Sequence, residues 1–232
     1  MQKQINLVLN GKGGVGKSFF ATNFIQYLKD QQMPHVAIDT DNENSTLKRF
    51  HPDAQFVNLA DLRQLDKLVA AVETARLVVV DCRAASTDVF LNYFAELTVF
   101  DVLKSMSASL TVVSLVNHDL DSVEQINTIA EAFNNRCRYL VVKNHALTEH
   151  FAIYDNSKTR KWLLNKLAAE EMIMPKLHDW LVASLQQVNL PVGQGIQHQK
   201  FSIMDRQRLK NWQRQFHEQI NTVRQIVLPG DA

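Results

Sequence analysis

Glycine is scarce in this chain of 232 residues: there are seven, and none falls between Gly16 and Gly193. Connections across that stretch must be made by Asp, Asn, Ser, Thr and His, through caps and turns that do not need glycine's conformational freedom. Only two cysteines occur, Cys82 and Cys137, too few for a disulfide framework and without metal-ligand spacing. They are expected to stay reduced in a cytoplasm. No apolar run approaches the ~20 residues that span a bilayer, so no integral membrane segment is expected. Met1-Gln2-Lys3-Gln4 enters an apolar strand pattern directly, which leaves no room for a signal peptide. A cytosolic protein is expected, with peripheral membrane contact open. Neither sign of charge is in excess; at net +1 no global field calls for nucleic acid, and DNA binding would need a local patch.

What is present describes an α/β protein. Short β-rich apolar runs (Ile5–Leu9, Val36–Asp39, Leu77–Asp81, Leu110–Leu115, Tyr139–Val142 and Met172–Met174) alternate with helical patterns. The helices are expected over Ser18–Gln31, Ala60–Thr74, Thr87–Ser105, Ser122–Asn134, Ser157–Glu170 and Leu177–Gln187. This order predicts a three-layer sandwich, a mostly parallel twisted sheet with helices on both faces. No repeat, low-complexity segment or linker interrupts it, so one domain is expected over 1–232. The last segment, 202–228, sets Leu209, Trp212, Phe216, Ile220, Val223 and Val227 at steps of three and four, one amphipathic stripe. It reads as a helix closing the core, or as a membrane or partner helix. Lys200, Arg206, Arg208, Lys210 and Arg214 cluster near its start; they could contact DNA phosphates or a partner, or form a solvated face.

The other four glycines carry the chemistry. Gly11-Lys12-Gly13-Gly14-Val15-Gly16-Lys17-Ser18 fits the phosphate-binding pattern G-x-x-x-x-G-K-[ST], between a strand and a helix as that pattern requires. Glycines let successive backbone N–H groups turn inward around a polyphosphate and remove side chains that would block its approach. The helix opening at Lys17 and Ser18 adds its positive dipole end. Lys17 would neutralise the β- and γ-phosphates, and the Ser18 hydroxyl would ligate Mg²⁺. Two strand ends supply carboxylates: Ile38-Asp39-Thr40-Asp41, whose two acids face one side if the chain stays extended, and Leu77-Val78-Val79-Val80-Asp81, a Walker B arrangement. Ligands of open α/β sheets bind beyond the carboxyl ends of the strands, where all three acids would gather. Arg83 stands where a guanidinium could reach phosphate or form a surface salt bridge. His145 and His150 read as loop residues, and Gly193-Gln194-Gly195 as a turn.

The string from Lys12 to Ser18 resembles the deviant Walker A loop of the ParA/MinD family of ATPases. The resemblance implies ATP held by Gly11 to Ser18 with Phe19, and Lys12 reaching across a homodimer interface to the partner's nucleotide. It implies that Asp39 lies near the Mg²⁺ shell, that Asp41 positions the attacking water, and that Asp81 holds Mg²⁺ through water. Asn144 resembles the family's adenine-reading Asn, although Lys143 precedes it in the reverse of the usual order. The absence of an Asn-Lys-x-Asp pattern there favours ATP over GTP. Asn42 replaces a proline common in the family, and Cys82-Arg83 departs from the common Asp-Cys-Pro.

A narrower likeness joins Leu9-Asn10-Gly11 through Ser18, Ile38–Asp41, Ala84-Ala85-Ser86 and Ser202–Lys210. Together they resemble TraL-type, and in kind StbB-type, proteins of conjugative plasmids. That resemblance implies a dimerising ATPase serving conjugative transfer or plasmid maintenance, with another plasmid-encoded or conjugation protein as partner. A non-enzymatic nucleotide-regulated module that binds DNA or protein is the alternative. A small-molecule kinase or ligase, and an electron-transfer ATPase with a bridging cluster, have less support.

Overall fold

The apolar runs become strands covered on both faces, which is why they read as continuous rather than alternating. In the computed structural model, which describes residues 2–230, these are β1 (Lys3–Val8), β2 (Val36–Asp39), β3 (Gln55–Phe56), β4 (Leu77–Asp81), β5 (Ala108–Val116), β6 (Arg138–Asn144) and β7 (Glu170–Met174). They form one sheet in the order β3-β2-β4-β1-β5-β6-β7, and every neighbouring pair is parallel. β1 lies centrally, so its carboxyl end opens between those of β4 and β5.

Period-two alternation sorts each strand between two cores. Ile5, Leu7, Val78 and Val80 face α3 (Leu62–Thr74), α4 (Thr87–Glu96), α5 (Val99–Ser105) and α6 (Leu120–Phe133), with α7 (Ala152–Asp155) and α8 (Lys158–Lys166) beside them. Val8, Val79, Val113 and Leu115 face α1 (Lys17–Asp30), α2 (Thr46–Phe50), α9 (Asp179–Val188), α10 (Val192–Gly195), α11 (Ile203–Thr222) and α12 (Arg224–Val227). The three-layer parallel α/β architecture is as expected.

Several boundaries differ from the sequence reading. The pattern over 87–105 is two helices, broken where Thr98 takes a positive φ of 45°. The helix expected to run to Glu170 stops at Lys166, and Glu170 opens β7 instead. The short α2 and the two-residue edge strand β3 lie in a stretch without apolar periodicity, so nothing there announced them. With no glycine to turn at, the described chain sets eight non-glycine residues at positive φ, among them Ser45, Ala85, Asn134 and Asn189.

Along α11 the apolar stripe turns inward. Leu209, Trp212, Phe216 and Ile220 are buried against α1, with Phe19 edge-on to Trp212 at 5.4 Å and Phe20 edge-on to Phe216 at 5.8 Å. The Ser202 side chain caps its first turn by accepting from the Asp205 N–H. Past Thr222 the backbone meets polar groups of the sheet, of which Asn6 and Thr111 are buried. The Asn6 amide donates to the Val227 carbonyl at 2.7 Å, the Thr111 hydroxyl to that of Ile226, and the Arg138 guanidinium to that of Gln225.

Candidate nucleotide site

The loop after β1 is held open by its neighbours. Asn10 is fully buried; its amide donates to the carbonyls of Leu115 (2.9 Å) and Ser122 (3.0 Å), and its oxygen accepts the Lys12 N–H. Gly14 and Gly16 sit at φ of 74° and 101°, where a side chain would be strained, and α1 starts at the next residue. Beneath them the Asn144 amide donates to the Val15 carbonyl at 2.8 Å, while its oxygen accepts the Ala146 N–H. Asn144 is buried, with its polar atoms committed to the loop and the chain behind it. That placement supports the loop from below.

Lys17 is buried, and its ammonium donates to the Lys12 carbonyl at 2.8 Å. Burial pushes its pKa below the ordinary lysine value, against the pull of Asp81, Cys82 and Asp41. A buried ammonium with one neutral partner is a site prepared for an anion. The Lys12 side chain turns the other way. Its ammonium lies 2.9 Å from Asp121 and 3.9 Å from Asp119, at the start of α6 in the same chain.

Strand register brings the acids alongside the loop: Val8 pairs with Asp81, and Asp81 with Asp39. Asp81 is buried, and its Oδ1 has no partner. Burial raises its pKa to about 7, opposed by the Ser18 hydroxyl and reinforced by the Asp39 charge. Asp39 does not share an open face with Asp41, because the chain turns after β2 instead of staying extended. The Asp39 oxygens accept the Asp41 N–H (2.9 Å) and the Lys48 N–H (3.0 Å), so this carboxylate anchors the turn and the start of α2. Burial raises its pKa in spite of those donors. Asp41 Oδ1 accepts from the N–H groups of Glu43 and Asn44. Burial pushes the Asp41 carboxyl up, but these donors outweigh it and hold it below the usual carboxylate range.

A cavity of about 390 Å³ opens here, lined by Gly13 to Ser18 except Val15, with Asp41, Arg83, Phe19 and, from α9, Val182 and Leu185. The donor set fits Mg²⁺: an orphaned Asp81 oxygen and the Ser18 hydroxyl are hard oxygen donors, and this ion keeps several waters and takes the rest of its shell from phosphates. Among the described residues no cluster of three His, Cys, Asp or Glu could hold a metal unaided.

Of the basic residues near α11, four engage their own chain. Lys200 bonds Gln187, Arg206 the His198 carbonyl, Arg208 Asp205 and Arg214 Glu218, while Lys210 is exposed. Two structural residues escaped the sequence reading. Asn10 tethers the loop, and the Thr40 hydroxyl joins two strand ends by donating to the Asp81 carbonyl and accepting the Arg83 N–H. A polar residue set directly between an apolar run and the first glycine was the available signal for Asn10.

The parallel sheet, the glycine loop at its central strand and the acids at the adjoining strand ends define a P-loop nucleotide-binding protein. Residues 7–173 match the CobQ/CobB/MinD/ParA nucleotide binding domain, and the chain belongs to that family. It is similar to Protein TraL of Escherichia coli, at 28% identity over 94% of this chain and 97% of that protein. It is also similar to Protein MobD of Acidithiobacillus ferrooxidans, at 23% over 91% and 94%. In fold it resembles the septum site-determining protein MinD complexed with Mg-ADP from Pyrococcus horikoshii, with a TM-score of 0.57, 13% identity, and coverage of 98% of this chain and 99% of that one. No helix among the described residues is long and apolar enough to cross a membrane.

Proposed function

We propose that this protein is a Mg²⁺-dependent, ATP-hydrolysing switch that dimerises on ATP and serves conjugative DNA transfer or plasmid maintenance. The observation that carries the reading is Lys17, a buried ammonium at a helix start beside a glycine loop, with one unpartnered carboxylate oxygen of Asp81 behind it. The similarity to TraL and MobD supports the plasmid setting. The MinD likeness with Mg-ADP supports the choice of nucleotide and ion.

In this reading the loop N–H groups, Lys17 and the start of α1 bind the phosphates. Ser18 and Asp81 would hold Mg²⁺, which would supply neutralisation of the phosphate charge. Asp41 would orient water for in-line attack: the water oxygen bonds to the γ-phosphorus, the bond to the β-phosphate oxygen breaks, ADP leaves with the electron pair, and the water protons leave with the inorganic phosphate. Catalysis by positioning and charge alone gives slow turnover until a partner completes the site. Lys12 would act on the nucleotide of a second subunit.

One observation favours a second reading, a nucleotide-regulated binding module without turnover. Asp41 spends its carboxylate on the N–H groups of its own turn and must be released to hold a water. Phosphate release from ATP by wild type and Asp41→Ala, with and without Mg²⁺, separates the two. Equal rates in two folded proteins would remove Asp41 from catalysis. No release by wild type at any Mg²⁺ concentration would favour the module.

A further inference from the structure

The two positions at which the loops depart from the family pattern meet in space. Asn42, where a proline is common, follows β2; Arg83, in place of the proline of Asp-Cys-Pro, follows β4. The Arg83 Nη1 donates to the Asn42 Oδ1 at 3.1 Å. Arg83 also lies close enough to Asp41 for its charge to help lower the pKa of that carboxyl. Both Asp41 and Arg83 line the cavity that holds Lys17 and Ser18.

The backbone under Arg83 is fixed, while the residue is only partly buried and lines the cavity. The Arg83 N–H donates to the Thr40 hydroxyl at 3.0 Å, and the Ser86 hydroxyl to the Arg83 carbonyl at 2.8 Å. Two residues on, the Ala85 N–H donates to the Gly11 carbonyl at 2.9 Å, tying this turn to the phosphate loop. A long side chain on a rigid base, held by one neutral amide at the rim of a phosphate site, is poised to change partners. A guanidinium gains far more from a polyanion than from an amide oxygen, because charge-assisted bidentate bonds are the stronger kind.

We infer that Arg83 is a γ-phosphate-binding residue supplied by the same chain, resting on Asn42 and drawn into the cavity by a triphosphate. The role rests on the proposed nucleotide site and adds to it a residue that distinguishes triphosphate from diphosphate. Transfer of the guanidinium from Asn42 to phosphate also frees the loop after β2, so the residue that senses the terminal phosphate releases the segment carrying Asp41.

Affinities for ADP and for a non-hydrolysable ATP analogue, both with Mg²⁺, test this in wild type, Arg83→Ala, Arg83→Lys, Asn42→Ala and Lys17→Ala. Arg83→Ala is expected to weaken the analogue by about 10- to 100-fold, the worth of hydrogen bonds to a charged group, and to leave ADP within about twofold. Arg83→Lys recovers part of that loss by keeping the charge without the fork. Asn42→Ala leaves analogue affinity unchanged or raised, since it removes only the resting partner. Equal effects of Arg83→Ala on both nucleotides, or none, would overturn the assignment, as would an Asn42→Ala loss as large as that of Arg83→Ala. Failure of the underlying nucleotide site looks different: wild type binds neither nucleotide, or Lys17→Ala binds both as well as wild type.

Discussion

Asn144 lies directly under Gly16. A methyl group on that glycine would stand 2.5 Å from the Asn144 Nδ2, which donates to the adjacent Val15 carbonyl. The phosphate loop is therefore shaped from below by an amide at the end of β6, and its closest approach needs glycine for space as well as for φ. Asn144→Ala leaves a buried carbonyl unpaired and is expected to cost about 1–3 kcal/mol of stability. Because the amide serves the loop, the variant should weaken ATP and GTP analogues by the same factor. A selective loss of the adenine nucleotide in a titration of both would restore the base-reading role.

Lys12 is turned onto Asp121 of its own chain, so an interface contact requires that pair to open. Exposed ion pairs shift equilibria by a factor of about 1.5 to 5, and two such pairs open per dimer. Asp121→Asn should raise the analogue-dependent dimerisation constant by about 2- to 30-fold at low salt. The difference from wild type should shrink as salt screens the pair. Mass in solution across a protein titration reads this directly, with Lys12→Ala as the variant expected to stay monomeric.

His51 gives a pH signature on the acid side. Its Nε2 is 2.9 Å from the Thr22 carbonyl and its Nδ1 is 3.1 Å from the Lys29 ammonium, so the fitting form is neutral with the proton on Nε2. Burial lowers its pKa to about 4. A folded-state value below the ordinary 6.5 means that this stability is complete above pH 6.5 and is lost as pH falls toward 4. The loss approaches about 3 kcal/mol. In urea unfolding at pH 7 and pH 4.5, His51→Asn should show a smaller pH dependence than wild type over that interval.

Asp81 works in the opposite direction. Its folded pKa near 7 lies above the ordinary carboxylate value, so ionising it in the fold costs stability as pH rises through 4 to 7. Asp81→Asn should stabilise the nucleotide-free protein at pH 8 by roughly 1–3 kcal/mol. The same change should abolish the extra thermal stabilisation that Mg²⁺ adds to ADP, and chelation should reproduce that loss in wild type. Melting curves with ADP, with and without Mg²⁺, check both parts.

The strands and the loop were legible because their signals are local. A parallel strand buried on both faces writes an unbroken apolar run, as Leu77 to Val80 do, and a polyphosphate cradle writes its glycines within six residues. The breaks at Thr98 and Ala168 were not legible, since a non-glycine residue at positive φ leaves no compositional mark. Neither were the partners of Asp39: whether its oxygens meet a metal or the N–H groups of Asp41 and Lys48 depends on how the chain turns nine residues further on.

The residues themselves determined the main strands, the phosphate loop, the acids at two strand ends and the apolar stripe of the last long helix, though not the side to which that stripe turns, because periodicity and loop chemistry act between near neighbours. Only the tertiary structure decided that Asn144 supports the loop, that Lys12 rests on Asp121, and that Arg83 meets Asn42. Each of these contacts joins segments 41 to 129 residues apart, brought together by the register of parallel strands. Side-chain direction across such distances is set by packing, which no local pattern encodes.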